Sequence, residues 1–168
     1  MNAGAMGYQT FDQVVAVRYL DSDGGLHEKS GEEFSAHYRN VPELIENFAL
    51  SAVFRGSSSS TEQIESRLEA SMNKRRMSQP VAACAGCIFK NPATVPAGKL
   101  IEELELGDAQ VGAARVSEVH GNFIVNEGGA KAEDVITLIE MIQSKAREDR
   151  GIELHTEVKI IGSAEACF

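Results

Sequence analysis

Tryptophan is absent from the 168 residues, and the aromatic set is limited to seven phenylalanines and three tyrosines. Basic residues are also in deficit, with 16 Lys and Arg against 25 Asp and Glu and a formal net charge of −9. Nucleic acid demands a basic footprint and stacking platforms, so this balance argues against such a partner. No apolar run approaches the roughly 20 residues of a membrane span. The opening residues, Met1 to Ala5, carry neither the basic nor the apolar region of an export signal. Cysteine is scarce and odd in number, at Cys84, Cys87 and Cys167. An odd set without export signals fits a reduced, cytoplasmic compartment. What is present in quantity is ordinary core material: the hydrophobic share is 43%, enough for one globular domain or two small ones.

The first part reads as β structure. Val14 to Leu20 is rich in β-branched and aromatic residues. The run Asp21-Ser22-Asp23-Gly24-Gly25 is a hairpin turn signal, and a second strand is expected over Leu26 to Lys29. Ser30 and Glu33 have the spacing of a capping box, which predicts a short helix toward Tyr38. Phe48 to Phe54 reads as a further strand. The four serines Ser57 to Ser60 mark the one expected boundary, dividing the chain into 1–59 and 60–168. Beyond it, Ile64, Leu68 and Met72 recur every four residues on one face of a helix ending near Lys74-Arg75-Arg76. A short amphipathic helix follows Pro96, and Phe123-Ile124-Val125 reads as a strand. A long helix from about Ala132 to Arg150 carries an apolar stripe of Val135, Leu138, Ile139, Ile142 and Ala146, with Gly151 placed to stop it. Leu154 to Ile161 alternates as a last strand. The fold class is α+β.

Cys84-Ala85-Gly86-Cys87 is open to several readings. Half a zinc site would need two more ligands, and His27, His37, His120 and His155 show no paired spacing, so no metal is expected. A redox dithiol would open a helix, whereas Ile88 to Pro92 is a poor helix start. Two small buried residues beside a tight glycine is the plain structural reading. Cys87 alone, a thiol mostly protonated at neutral pH, has the chemistry to give a proton to an enolate. Glu157 is either an ordinary strand carboxylate or a partner in that chemistry, and Arg39 either a surface cation or a carboxylate clamp.

Taken in order, these stretches resemble the UDP-N-acetylenolpyruvoylglucosamine reductase family. Ala85 to Pro92, reading Ala-Gly-Cys-Ile-Phe-Lys-Asn-Pro, is similar to its signature, in which a serine or cysteine precedes Phe-Lys-Asn-Pro. Ala97 to Ile101, Val111 to Ser117 and Asn122 to Asn126 resemble the blocks that follow, and Glu157 to Gly162 its closing Glu-Val-Arg-x-Ile-Gly. Met1 to Gly7 resembles the flavin-contacting Asn-Ala-Gly-Ala-Tyr-Gly stretch, and Tyr38-Arg39 the substrate-binding Tyr-Arg.

The resemblance implies a flavoenzyme of peptidoglycan precursor synthesis. NADPH reduces FAD, and the reduced flavin passes hydride to the enolpyruvyl double bond of a UDP-sugar, giving UDP-N-acetylmuramate. It puts Cys87 at the general acid, Glu157 at a second catalytic carboxyl and Arg39 at the arginine that stabilises the developing enolate. Tyr38, Lys90, Asn91 and Arg76 fall on substrate-binding positions, and Asn2, Ala3, Gly4 and Ala5 on flavin-contacting ones. The implied fold is the end of a flavin-binding α+β domain, 1–59, followed by a small α/β substrate-binding domain, 60–168, in a monomeric enzyme. The sequence has no Gly-Gly-Gly-Ser-Asn type loop to cradle the FAD pyrophosphate. The expectation is therefore a chain that lacks the family's N-terminal flavin-binding half, has that half as a partner, and by itself binds FAD weakly or not at all. Two readings from other classes stand beside it: a UDP-sugar-binding module without turnover, and a redox or metal protein built on Cys84 and Cys87.

Overall fold

A computed structural model of the protein describes residues 1–162; Cys167, the third cysteine of the sequence reading, lies outside them. The architecture is α+β, in two compact units, Met1–Ser71 and Met72–Phe168.

The first unit opens with a hairpin of β1 (Gly4–Ala5) and β2 (Tyr8–Gln9). Its turn, Met6-Gly7, has φ 53° and 85°, the two left-handed residues of a tight hairpin turn. A three-stranded antiparallel sheet follows, ordered β4-β3-β5, from β3 (Val14–Leu20), β4 (Leu26–Ser30) and β5 (Phe48–Phe54). The expected turn between β3 and β4 forms around Asp21. Its carboxylate accepts hydrogen bonds from the Asp23 and Gly25 amides at 3.0 and 2.7 Å and meets His27 Nε2 at 2.6 Å. His27, and next the Gly25 amide, hold the Asp21 carboxyl below its ordinary pKa. Val17, Tyr19, Phe34 and Val41 form this unit's small core.

The segment after Ser30 differs from the predicted helix. Only a single 3-10 turn forms, Gly31–Glu33. Glu33 does cap it, accepting from the Ser30 amide and hydroxyl at 2.8 Å each. Propagation stops because Phe34 returns to extended backbone (φ −94°, ψ 136°) and is buried in the core. Gly31 is required here: a Cβ would lie 2.2 Å from the Val14 carbonyl oxygen.

Helix α1 (Thr61–Ser78) starts as predicted, with Ser60 Oγ accepting from the Gln63 amide at 3.3 Å. Its expected apolar face is not a buried one, since Ile64, Leu68 and Met72 are all exposed.

In the second unit a four-stranded antiparallel sheet is ordered β6-β9-β8-β7, from β6 (Cys84–Cys87), β7 (Gln110–Val111), β8 (Ala114–Val116) and β9 (Phe123–Asn126). Helix α2 (Ala97–Glu103) and helix α3 (Ala132–Arg150) build the core with it, where Leu100, Ile101, Leu138, Ile142 and Ala146 are buried among Ile88, Phe89 and Val116. The predicted stripe on α3 is thus the buried one. Gly151 ends the helix in the left-handed conformation, φ 63°. At the other end the Asp134 carboxylate accepts from the Lys131 amide at 2.9 Å, the half of a capping box that a lysine at the cap still allows. The predicted final strand reduces to one antiparallel bridge, Phe89 with Thr156. No helix among the described residues is long and apolar enough to cross a membrane.

Three stability outcomes follow. Leu138→Ala removes a wholly buried side chain and is expected to cost about 2–5 kcal/mol in denaturant unfolding. Gly31→Ala must displace backbone and should lower the melting temperature. Asp21 has a depressed folded-state pKa, so its contribution is full above the ordinary carboxylate range near 3.9 and is lost as pH falls through the lower folded value. Asp21→Asn should flatten that acid limb in thermal melts recorded between pH 2 and pH 5.

Candidate active site

In the second unit, Cys84, Cys87, Lys90 and Asn91 lie along one extended segment, Glu157 lies on the segment bonded to it, and Arg76 stands apart on α1. Strand β6 is bulged: Cys84 pairs with Val125 and Cys87 with Phe123, so three steps on β6 match two on β9. Gly86 absorbs the extra residue at φ 85°, a conformation that favours glycine. On a regular strand, residues three apart face opposite ways; here both cysteines lie opposite partners two apart and share a face. They are not the buried structural pair of the plain reading, because Cys84 is exposed and Cys87 half-buried. They stand on a strand, without the helix N-terminus that a redox dithiol uses. Among the described residues, no three His, Cys, Asp or Glu side chains gather as a metal site.

Past Cys87, Ile88 and Phe89 turn inward and are buried. Their backbone joins them to the chain's closing segment: the Glu157 amide donates to the Ile88 carbonyl at 2.7 Å and the Lys90 amide to the His155 carbonyl at 2.9 Å. Cys87 and Glu157 are thereby placed on neighbouring backbone segments although 70 positions apart in sequence. Both are half-buried, open to a reactant and partly shielded from water. Asn91 is exposed, and its Oδ1 accepts from the Ala97 amide at 3.0 Å, which ties the loop after Cys87 to the first turn of α2. Lys90 is half-buried, and Arg76 is exposed near the end of α1.

The remaining sequence-predicted residues lie in the first unit and adjoin one another. Asn2 is buried and bonded through both ends of its amide, Nδ2 to Gln9 Oε1 at 2.9 Å and Oδ1 from the Phe11 amide at 3.0 Å. The Ala3 carbonyl accepts from the Thr10 amide and hydroxyl. Gly4 and Ala5 are exposed on β1. A Cβ on Gly4 would sit 3.2 Å from the Tyr8 carbonyl oxygen and 3.6 Å from Arg39 Nη1, so the Arg39 guanidinium lies over the β1 strand. Tyr38 and Arg39 are the corner of a two-residue turn closed by His37 and Asn40, whose amides and carbonyls bond at 2.8 and 3.2 Å. Arg39 takes φ 55°, rare for a side chain of its size, and its guanidinium carbon lies 4.9 Å from the centre of the Tyr38 ring. Beside Asn2 a cleft of about 560 Å³ is lined by Gln9, Phe11, Asp12, Glu32 and Arg55 among others.

Asn122 was read from the sequence only as part of a resembling block. The structure gives it a particular place: it is 2% exposed and its amide bonds both the N–H and the C=O of Phe89, at 2.9 and 2.8 Å. The available signal was an uncharged polar residue directly before an apolar strand.

The fold matches a crystal structure of UDP-N-acetylenolpyruvylglucosamine reductase from Thermus caldophilus with a TM-score of 0.83, at 33% identity, over 95% of this chain and 57% of that one. The family model described as UDP-N-acetylenolpyruvoylglucosamine reductase, C-terminal domain, matches residues 79–161. A reductase of that name from Bacillus pumilus is 41% identical over 165 residues, 96% of this chain and 54% of the relative. One from Bacillus licheniformis is 40% identical over 167 residues, 96% of this chain and 90% of the relative. The chain belongs to the UDP-N-acetylenolpyruvoylglucosamine reductase family. It spans about half the length of most of the curated relatives it matches.

The Arg39 conformation leads to a stability test. Glycine takes a left-handed backbone without the roughly 1–2 kcal/mol penalty of a larger residue. Arg39→Gly should therefore unfold at equal or higher temperature than the parent while losing the guanidinium. A clear loss of stability would show that the side chain's contacts outweigh the strain.

Proposed function

We propose that this chain provides the substrate-binding and proton-donating residues for reduction of the enolpyruvyl group of UDP-N-acetylglucosamine enolpyruvate to UDP-N-acetylmuramate, a step of peptidoglycan precursor synthesis in the cytoplasm. The observation that carries the reading is the 2.7 Å bond from the Glu157 amide to the Ile88 carbonyl, which ties the strand bearing the family's acid position to the segment bearing its second carboxyl. Cys87 is the proton donor: a thiol is a stronger acid than the serine hydroxyl that the family's signature also allows there. Glu157 is the second carboxyl. Arg39 binds the substrate carboxylate and favours negative charge accumulating there, with Tyr38 under its guanidinium. Lys90 and Arg76 supply positive charge toward the diphosphate. Asn91 orients the sugar nucleotide through the loop it fastens to α2. In this division 1–59 is the end of the flavin domain and 60–168 the substrate domain.

In the family's reaction the reducing equivalents come from NADPH through FAD. The residues described here fit one edge of a flavin and not the whole cofactor. Gly4 and Ala5 are exposed on β1 beside Arg39, and Asn2 and Ala3 bond the hairpin to residues 9–11. The cleft beside Asn2 carries Asp12 and Glu32 against the one cation Arg55 in its lining, a negative balance that opposes a diphosphate. The polypeptide matching the rest of the longer relatives is the partner that would complete the FAD site.

Calorimetry with the UDP-sugar enolpyruvate, with and without added FAD, tests the reading. The chain should bind the UDP-sugar, and Arg39→Met should weaken that binding by about tenfold or more, the loss of a charge-assisted pair. Flavin absorbance should remain that of free FAD, and NADPH oxidation should need the complementing polypeptide. Unchanged affinity in Arg39→Met would overturn the role of Arg39. In the complemented enzyme, Cys87→Ala should keep flavin reduction by NADPH and lose solvent-proton incorporation into product; undiminished incorporation would remove Cys87 as the acid.

A further inference from the structure

Past the Cys87–Phe123 pair the ladder between β6 and β9 keeps one backbone rung, from the Ile88 amide to the Asn122 carbonyl, and residue 121 adds none. The chain turns instead at His120-Gly121, where the Phe123 amide bonds the His120 carbonyl at 3.0 Å. Gly121 presses so closely on α2 that a Cβ there would lie 2.7 Å from the Gly98 carbonyl oxygen. Asn122 supplies the last backbone rung and, with its side chain, the bonds that would follow it. Its carbonyl accepts from the Ile88 amide at 2.9 Å. Its side-chain carboxamide, chemically a peptide group with one acceptor and two donors, then accepts from the Phe89 amide at 2.9 Å and donates to the Phe89 carbonyl at 2.8 Å. Its own amide donates to His120 Nδ1 at 3.1 Å, so the clamp is itself braced.

The opposite edge of the same three residues carries the closing segment, through the Ile88 carbonyl to Glu157 and the Lys90 amide to His155. Asn122 on one side and residues 155–157 on the other thus grip the peptides immediately after Cys87. Any shift of the Phe89 peptide moves Cys87 at one end of this stretch and the Glu157 backbone across from it.

We propose that Asn122 is a positioning residue for the Cys87–Glu157 pair, its carboxamide standing in for a missing strand rung and fixing the thiol against the carboxyl segment. The inference rests on the catalytic reading given above for those two residues. Asn122 touches no reactant; it acts through the Phe89 peptide.

The test uses the chain as it is, with Cys84→Ala and Cys167→Ala leaving Cys87 as the sole thiol. The pH profile of iodoacetamide alkylation is measured by mass spectrometry, together with hydrogen exchange at the Glu157 amide, in this parent and in Asn122→Ala. Leu138→Ala is the control for general loosening of the core. The expected result is a change in Cys87 alkylation of about tenfold, or a profile displaced by about one pH unit. Faster exchange at Glu157 should accompany it, with the control leaving the Cys87 profile in place. A profile unchanged in Asn122→Ala, or moved equally by Leu138→Ala, overturns the proposal. If Asn122→Ala does not fold, Asn122→Asp carries the comparison, because it keeps the acceptor for the Phe89 amide and removes the donor to its carbonyl. Neither readout involves substrate, so failure of the catalytic reading would show in undiminished solvent-proton incorporation by Cys87→Ala, while the thiol profile judges Asn122 separately.

Discussion

The peptide group of Phe89 is the constraint on which the second unit's arrangement depends. The Phe89 ring is sunk in the core, 1% exposed, while its N–H and C=O would be left buried without partners once the β9 strand turns away. An unpaired buried amide costs on the order of a lost hydrogen bond, about 1–3 kcal/mol. The Asn122 carboxamide removes both deficits with one side chain. Its burial is therefore forced by the burial of Phe89, and the two together determine where β6 ends and where the closing segment can bond. The strain-free alternative, a continued ladder, is denied by the close packing of Gly121 on α2.

That dependence explains what could and could not be read from the sequence. The α3 stripe, its Gly151 stop and the Asp21–Gly25 turn were legible because each is set by residues adjacent in sequence, through helical period or turn chemistry. The helix expected after Ser30 had a correct cap and the wrong length, because the burial of Phe34 and the pressure of Val14 on Gly31 are tertiary facts. The last strand had correct alternation but only one bridge, since alternation reports a half-buried face and says nothing of whether a partner continues alongside. The Met6-Gly7 turn lacked the usual Asn or Asp signal. Asn122 was invisible in its role, because a long-range amide clamp leaves no period in the sequence.

The candidate site shows the same division. Cys87, Lys90 and Asn91 lie within one short stretch and were legible as a block, but the bulge at Gly86 that sets which face Cys87 shares with Cys84 required the register with β9. Alternation left Glu157 open between an ordinary strand carboxylate and a catalytic partner, and only the resemblance chose between them; its bond to Ile88 spans far too much sequence for spacing arguments. Tyr38-Arg39 gave a charge and a ring, whereas the left-handed backbone that turns the guanidinium over Gly4 is a property of the closed turn.

The two units hold their chemistry by different means. In the second, the thiol and carboxyl segments are fixed to a core of fifteen buried residues among those described, so their relative placement is stiff in the way a packed interior is stiff. In the first, four buried residues form the core, and Arg39 and the β1 hairpin are held mainly by hydrogen bonds: both ends of the Asn2 amide, the Ala3 carbonyl to Thr10, and the pair closing His37 to Asn40. All seven residues of β5 are exposed, Phe48 and Phe54 included. Such a unit has little burial to resist local opening. A ligand that bridges Arg39 and the β1 backbone would add directly to its stability by binding the folded form alone. Ligand binding there would therefore be coupled to folding more closely than binding to the second unit, whose core is the larger among the described residues.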